Sequence, residues 1–173
     1  MNIFHGCVKR HACVESLRNR LNNRHTAADS WIGVTKKDGK IEDHEIEKIF
    51  DKLEPANMEV FKGDWKGHTV DTGHPGVKKN KEVRWAGKSF RSPDDVDPMV
   101  IYNDEVGRVW MEKTGRARLR EVKYHGVVST AMIYNNFPII DHFRRVNDDM
   151  VAGVMDTPLI QGSGNLYFYL TKL

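Results

Sequence analysis

The run Ser129 to Asp156, STAMIYNNFPIIDHFRRVNDDMVAGVMD, sets a carboxyl and an imidazole side by side at Asp141 and His142, with a phenol seven residues earlier at Tyr134. Alternation along an extended segment puts Ile139, Asp141 and Phe143 on one face and Ile140, His142 and Arg144 on the other. A carboxyl between isoleucine and phenylalanine loses solvation in its charged form, so Asp141 is suited to give or take a proton near neutrality. Tyr134 could add a phenolic hydrogen bond, and Lys88, on the Ala86/Phe90 face of its own segment, a positive charge. The expected catalytic set is therefore Asp141, His142, Lys88 and Tyr134. Three of the four have a plainer reading: Asp141 as a buried polar group bonded to an arginine or hydroxyl, His142 as an outward residue, Tyr134 as core beside Met132.

Strands must position these groups. Val128 to Tyr134, Ile139 to Val146 and Met150 to Met155 are rich in β-formers and separated by Asn135-Asn136 with Pro138 and by Asn147-Asp148-Asp149, which predicts an antiparallel meander. Period-two alternation begins near Met58 and continues to the end of the chain. It predicts strands over 58–70, 82–90, 97–103, 106–112, 117–124, 127–134, 138–146, 150–156 and 165–171, with turns at Gly73-His74-Pro75-Gly76, Ser92-Pro93-Asp94-Asp95, Asn103-Asp104, Thr114-Gly115 and Gly162-Ser163-Gly164-Asn165. Short strands joined by short loops favour an up-and-down barrel, because closure removes exposed edges. Ahead of them, Ile46, Ile49, Phe50 and Leu53 fall at helical spacing and Pro55 ends a helix over 43–53, which should plug or pack beside one end.

The 173 residues suffice for one domain with a substantial core. A net charge of +3, with its basic excess in the first forty residues, calls for no nucleic acid. No apolar run is long enough to span a bilayer and no secretory signal opens the chain, so the expectation is a cytoplasmic protein with no membrane partner. Residues 1–40 read as a partly helical N-terminal extension, and 41–173 as a single barrel domain. His5, Cys7, His11 and Cys13 are metal-ligand types at spacings unlike those of common zinc sites, and Asp38-Gly39 to Glu45 matches only the second half of a calcium loop, so no metal is expected. No phosphate-binding glycine loop or serine nucleophile elbow occurs, and no cofactor is expected. The alternating Arg116, Arg118 and Arg120 fit a solvated outer face.

Gly63-Asp64-Trp65-Lys66-Gly67 follows the predicted helix, and this motif resembles the signature of the GXWXG family. Thr72-Gly73-His74-Pro75, Trp85-Ala86-Gly87-Lys88-Ser89-Phe90 and YNNFPIIDHFRRVNDD fit the same family and the C-terminal domain of unknown function that accompanies it, over about residues 43 to 173, with a GXWXG segment at about 43–103 and the C-terminal segment at about 104–173. The resemblance implies a lipocalin-like, calycin-type barrel in which a helix followed by Gly-x-Trp closes one end of a ligand-holding cup. Trp65 would be a packed base plate; Trp85, Phe90, Met132 and Phe143 would line the interior with it, and His74 would stand at the mouth. The methionines at 99, 111, 132, 150 and 155 would suit an adaptable apolar pocket or fill gaps. The expected function is binding of a hydrophobic small molecule with cofactor-independent acid/base chemistry of isomerase, cyclase or lyase type. The alternatives are a non-catalytic carrier or sensor and, with a histidine ligand, a haem-binding protein; barrels could also pair as a homodimer.

Overall fold

The computed structural model describes residues 26–173. The His5, Cys7, His11 and Cys13 set lies outside the described residues.

Among the described residues three helices precede or interrupt the strands: α1 (Ala27–Thr35), α2 (Asp43–Phe50) and α3 (Pro75–Glu82). The strands are β1 (Glu54–Pro55), β2 (Gly63–Thr69), β3 (Trp85–Ser92), β4 (Asp95–Asn103), β5 (Gly107–Trp110), β6 (Ala117–Tyr124), β7 (Val127–Tyr134), β8 (Ile140–Arg145), β9 (Met150–Asp156) and β10 (Leu166–Lys172). All pairings are antiparallel, and β2, β3, β4, β6, β7, β8, β9 and β10 follow one another around a ring that closes where β10 pairs with β2. This is the mainly β, up-and-down architecture that the alternation predicts. Its thinnest seam lies between β4 and β6, joined by the single bridge Val96–Ala117; the other half of β4 pairs instead with β5. Short β1 pairs with the free end of β8.

Alternation divides the buried side chains into two cores. Inside the ring, Phe61, Trp65, Phe90, Phe143 and Phe168 pack together with Leu119, Met132 and Leu170. Phe61 follows a 3-10 turn at Met58–Val60, and its ring meets those of Phe143 at 4.7 Å, Phe90 at 5.2 Å and Trp65 at 6.0 Å. These offset and tilted aromatic contacts fill one end of the ring. Outside it, Ala152, Val154 and Tyr167 of β9 and β10 receive Trp31 of α1 and Ile46 and Phe50 of α2. Thus α2 packs beside the ring, and the 3-10 turn with Phe61 does the plugging.

Local sequence explains both leading helices. Thr26 caps α1 by accepting from the Asp29 amide, while the Asp29 carboxylate accepts from the Thr26 amide, a reciprocal capping box. In α2, Ile46 and Phe50 stand one turn apart and are buried together. Helix α3 has a single apolar side chain beyond Pro75, Val77, so periodicity does not reveal it and its start reads as a turn. The chemical signal lies at its N-terminus: His74 caps it by accepting the Gly76 amide on Nδ1, and Pro75 holds the first turn.

The glycines of the tryptophan motif are spatial requirements. A Cβ on Gly67 would stand 2.6 Å from the Trp85 ring, and one on Gly87 would stand 2.0 Å from the Trp65 carbonyl oxygen with φ at +129°. Gly67 therefore lets the indole of β3 lie flat over β2, and Gly87 lets the two backbones approach.

Candidate functional site

The end of the ring opposite Phe61 is open and forms a cup of about 530 Å3. Met99 on β4, Tyr134 at the end of β7, Ile139, Met155 on β9 and Leu166 on β10 form its apolar wall, while Pro75, Gly76, Lys78 and Lys79 of α3 form one side of the mouth. Phe137, Leu159 and Ile160 come from the facing loops. At the floor a chamber of about 40 Å3 is bounded by Trp85, Lys88, Asp141 and Phe168, and it shares Asn80, Met99, Tyr134, Met155 and Leu166 with the cup above.

Two buried charges meet at that chamber. Lys88 Nζ donates to Asp141 Oδ2 at 2.7 Å and to the Pro98 carbonyl at 3.0 Å, and both side chains are 2–3 % exposed. Register explains the meeting: Asp141 lies opposite Met132 and Met155 on the inward face of β8, and Lys88 lies opposite Trp65 on β3, so the side chains reach toward each other across the ring. Three aromatic rings surround the ammonium, with centroids at 5.2 Å for Phe168, 5.6 Å for Trp85 and 5.7 Å for Tyr134. Their faces offer a cation negative charge without hydrogen bonds. The Tyr134 hydroxyl has no hydrogen-bond partner among the described residues, and burial, reinforced by the Asp141 charge, holds its ionisation well above the ordinary phenol range.

Three of the four residues expected to do chemistry, Asp141, Lys88 and Tyr134, are therefore brought to one point. His142 is not. Alternation turns it to the outer face of β8, where its ring stacks on Tyr124 at 4.0 Å and Nε2 stands 3.5 Å from Asp156 Oδ2. Burial holds its pKa below the ordinary histidine value, against the opposing pull of Asp156. Among the residues expected to line a ligand, Trp85 borders the floor chamber. Trp65, Phe90, Met132 and Phe143 belong to the packed core beneath it, because the aromatic plug occupies the ring below the level of Asp141. His74 is buried as the cap of α3, beside the mouth residues Pro75 and Gly76, and burial lowers its pKa also.

The cup wall includes residues that the sequence did not point to as ligand contacts: Ile139, Leu166, Leu159, Ile160, Phe137 and most of α3. Met99 and Met155 do line an apolar pocket, whereas Met132 fills core. The arginine ladder is outside, as expected: Arg116 pairs with Asp97 and Arg120 with Asp94, acids supplied by β4 and the turn before it. No cluster of three or more metal-ligating side chains occurs among the described residues. No helix among them is long and apolar enough to cross a membrane.

Residues 48–105 match the family described as GXWXG protein, and residues 115–172 match the family described as Domain of unknown function (DUF4334). Lys88 comes from the first segment and Asp141 from the second, so the floor of the cup exists only where the two are folded into one ring. A crystal structure of a protein from Thermomonospora curvata is similar, with 37% sequence identity, coverage of 85% of this chain and 98% of that one, and a TM-score of 0.79. No curated protein matches the chain.

Proposed function

The chain belongs to the GXWXG family with its accompanying DUF4334 domain, and from that premise we propose that it binds one hydrophobic small molecule in the cup and carries out cofactor-independent proton transfer on it, of isomerase, cyclase or lyase type. The observation that carries this reading is the Lys88–Asp141 pair, buried at the floor of a cavity whose wall is otherwise mostly apolar. Such a cavity has the size and the ratio of apolar wall to convergent polar groups of a small-molecule site. Hydrocarbon parts of the ligand would fill the wall between Met99, Ile139 and Met155, leaving one polar group to enter the floor chamber.

There the roles follow from charge. Asp141 Oδ2 holds the Lys88 ammonium while Oδ1 accepts no hydrogen bond among the described residues, so the carboxylate has a free oxygen with which to abstract a proton. The ammonium and the Tyr134 hydroxyl are the donors toward an oxygen on which negative charge develops. The burial of both charged side chains strengthens both interactions. A carrier or sensor would use the same cup, and the two mutually satisfied charges would then only orient its ligand. A haem reading would need an axial histidine, and among the described residues no histidine lines the cup or its floor chamber.

Binding and proton transfer are tested separately. The apolar fluorophore N-phenyl-1-naphthylamine should bind wild-type protein at one site, and Met99→Trp, which narrows the cup where it meets the floor chamber, should weaken that binding. In D2O, 4-phenylbutan-2-one should gain deuterium next to its carbonyl faster with protein than without. Asp141→Asn should remove that acceleration while leaving fluorophore binding intact. Unchanged fluorophore binding in Met99→Trp would dispose of the cup as the binding site; unchanged exchange in Asp141→Asn would dispose of the carboxylate as the base, and no acceleration by wild-type protein would leave the carrier.

A further inference from the structure

We propose that Lys88 is an imine-forming amine, which captures the carbonyl carbon of an apolar aldehyde or ketone held in the cup. The inference rests on the cup being a ligand site, and it adds a covalent step that proton transfer alone does not require.

The amine is primary, buried and adjacent to open space. Of its three protons in the ammonium form, one goes to Pro98 and one to Asp141, and the described residues provide no acceptor for the third. The amine borders the floor chamber, whose volume of about 40 Å3 takes a carbonyl group and its immediate neighbours. The residues shared between chamber and cup give the body of the same molecule an apolar continuation. Desolvation among apolar side chains is one way in which proteins activate a lysine toward carbonyls, and here the adjacent carboxylate gives the ammonium proton a place to go.

The proton account closes within the pair. Asp141 takes a proton from the Lys88 ammonium, which leaves two neutral groups and no change in net charge. The free amine attacks the carbonyl carbon, forming the C–N bond as the C=O π pair moves to oxygen, and that oxygen takes the proton that Asp141 holds. Asp141 then removes a second N–H proton and delivers it to the hydroxyl, and water departs as the nitrogen lone pair forms C=N. The nitrogen keeps its third proton, so the product is the iminium and Asp141 is again a carboxylate. In sum, an ammonium and a carbonyl become an iminium and water; nothing is oxidised or reduced. The product cation stands where the ammonium stood, opposite the Asp141 carboxylate and within the same triangle of Trp85, Tyr134 and Phe168 rings. The electrostatic surroundings that favour the resting state thus favour the iminium too.

The test is reductive trapping on the full chain with biphenyl-4-carbaldehyde and sodium cyanoborohydride, read by intact mass and peptide mapping. The expected result is one adduct per chain at Lys88, formed at least about ten-fold faster than at any other lysine because the cup holds the aldehyde against the amine. Met99→Trp should lose the adduct although its Lys88 and Asp141 are untouched. Because Lys88→Met alone leaves a buried carboxylate unpaired, the double variant Lys88→Met/Asp141→Leu serves as the second control; it should bind N-phenyl-1-naphthylamine yet form no selective adduct. Displacement of the fluorophore by the aldehyde without trapping at Lys88 would overturn the imine and leave the cup standing. Adducts spread over surface lysines, or undiminished labelling of Lys88 in Met99→Trp, would also overturn it. Absence of both displacement and trapping would count against the ligand site itself.

Discussion

Lys88→Met and Asp141→Leu, made singly and together, probe the buried pair without knowledge of any ligand. Each single variant strands one charge: Lys88→Met leaves the Asp141 carboxylate and the Pro98 carbonyl without their donor, and Asp141→Leu leaves the ammonium with Pro98 alone. Both side chains are only 2–3 % exposed, so solvent screening does little to reduce the loss. Breaking one side of such a pair costs about 3–5 kcal/mol, with about 1–3 kcal/mol for an orphaned carbonyl already within that range for Lys88→Met. Against a total stability of about 5–15 kcal/mol, either loss is large. Replacing both charges removes the need for either partner, and the double variant should lie within about 2 kcal/mol of wild type. The cycle should therefore show a coupling of at least about 3 kcal/mol, far from additivity. Urea denaturation at 25 °C reads it from the midpoints, provided the slope is common to all four proteins. Single variants that each cost less than about 1 kcal/mol would refute the reasoning. They would mean that water entering the floor chamber solvates both groups, and the low-dielectric argument for proton transfer at Asp141 would fall with it.

Two further outcomes are expected. His68, His74 and His142 are each held below the ordinary histidine pKa of 6.5, chiefly by burial; a depressed folded-state value means the unfolded chain binds more protons, so stability should be full above about pH 6.5 and fall as the pH drops below it. His74→Asn keeps a capping side chain for α3 but removes the titration, and it should make the thermal midpoint fall less steeply between about pH 6.5 and 5; an unchanged slope would show that His74 does not contribute. Gly87→Ala should cost more than about 3 kcal/mol or prevent folding, because its Cβ would meet the Trp65 carbonyl at 2.0 Å, whereas Gly107→Ala, at φ +80° in open space, should cost about 1 kcal/mol; equal losses in chemical denaturation would show that backbone angle, not close approach, is what matters at Gly87.

Much of this protein is decided by local pattern. The strands β6, β7 and β9 are the segments that period two marks out at 117–124, 127–134 and 150–156, since alternating burial on a pleated strand leaves a direct trace in residue order. The same rule separates Asp141 from His142: neighbours on a strand must face opposite ways, and apolar Ile139 and Phe143 mark which face turns inward. The segment 58–70 shows where the rule loses resolution. Its first residues form a 3-10 turn because Phe61 must fold back over Phe90 and Phe143, contacts supplied by strands 29 and 82 residues further along. Helix α3 leaves almost no periodic trace, because it turns little more than Val77 inward and spends its other side chains at the mouth and in solvent.

What tertiary structure alone decided is the depth of each inward residue. Residue order says that Asp141, Phe143, Met132 and Phe90 face the interior; it does not say that the aromatic plug rises to Phe143 and stops, leaving Asp141 at the floor of a cup and the others in packed core. Nor does it say that Lys88, 53 residues away, ends 2.7 Å from Asp141, since that distance depends on the stagger of β3 and β8 around the closed ring. Facing is a property of one strand and is written in its sequence; level and proximity are properties of the closed sheet.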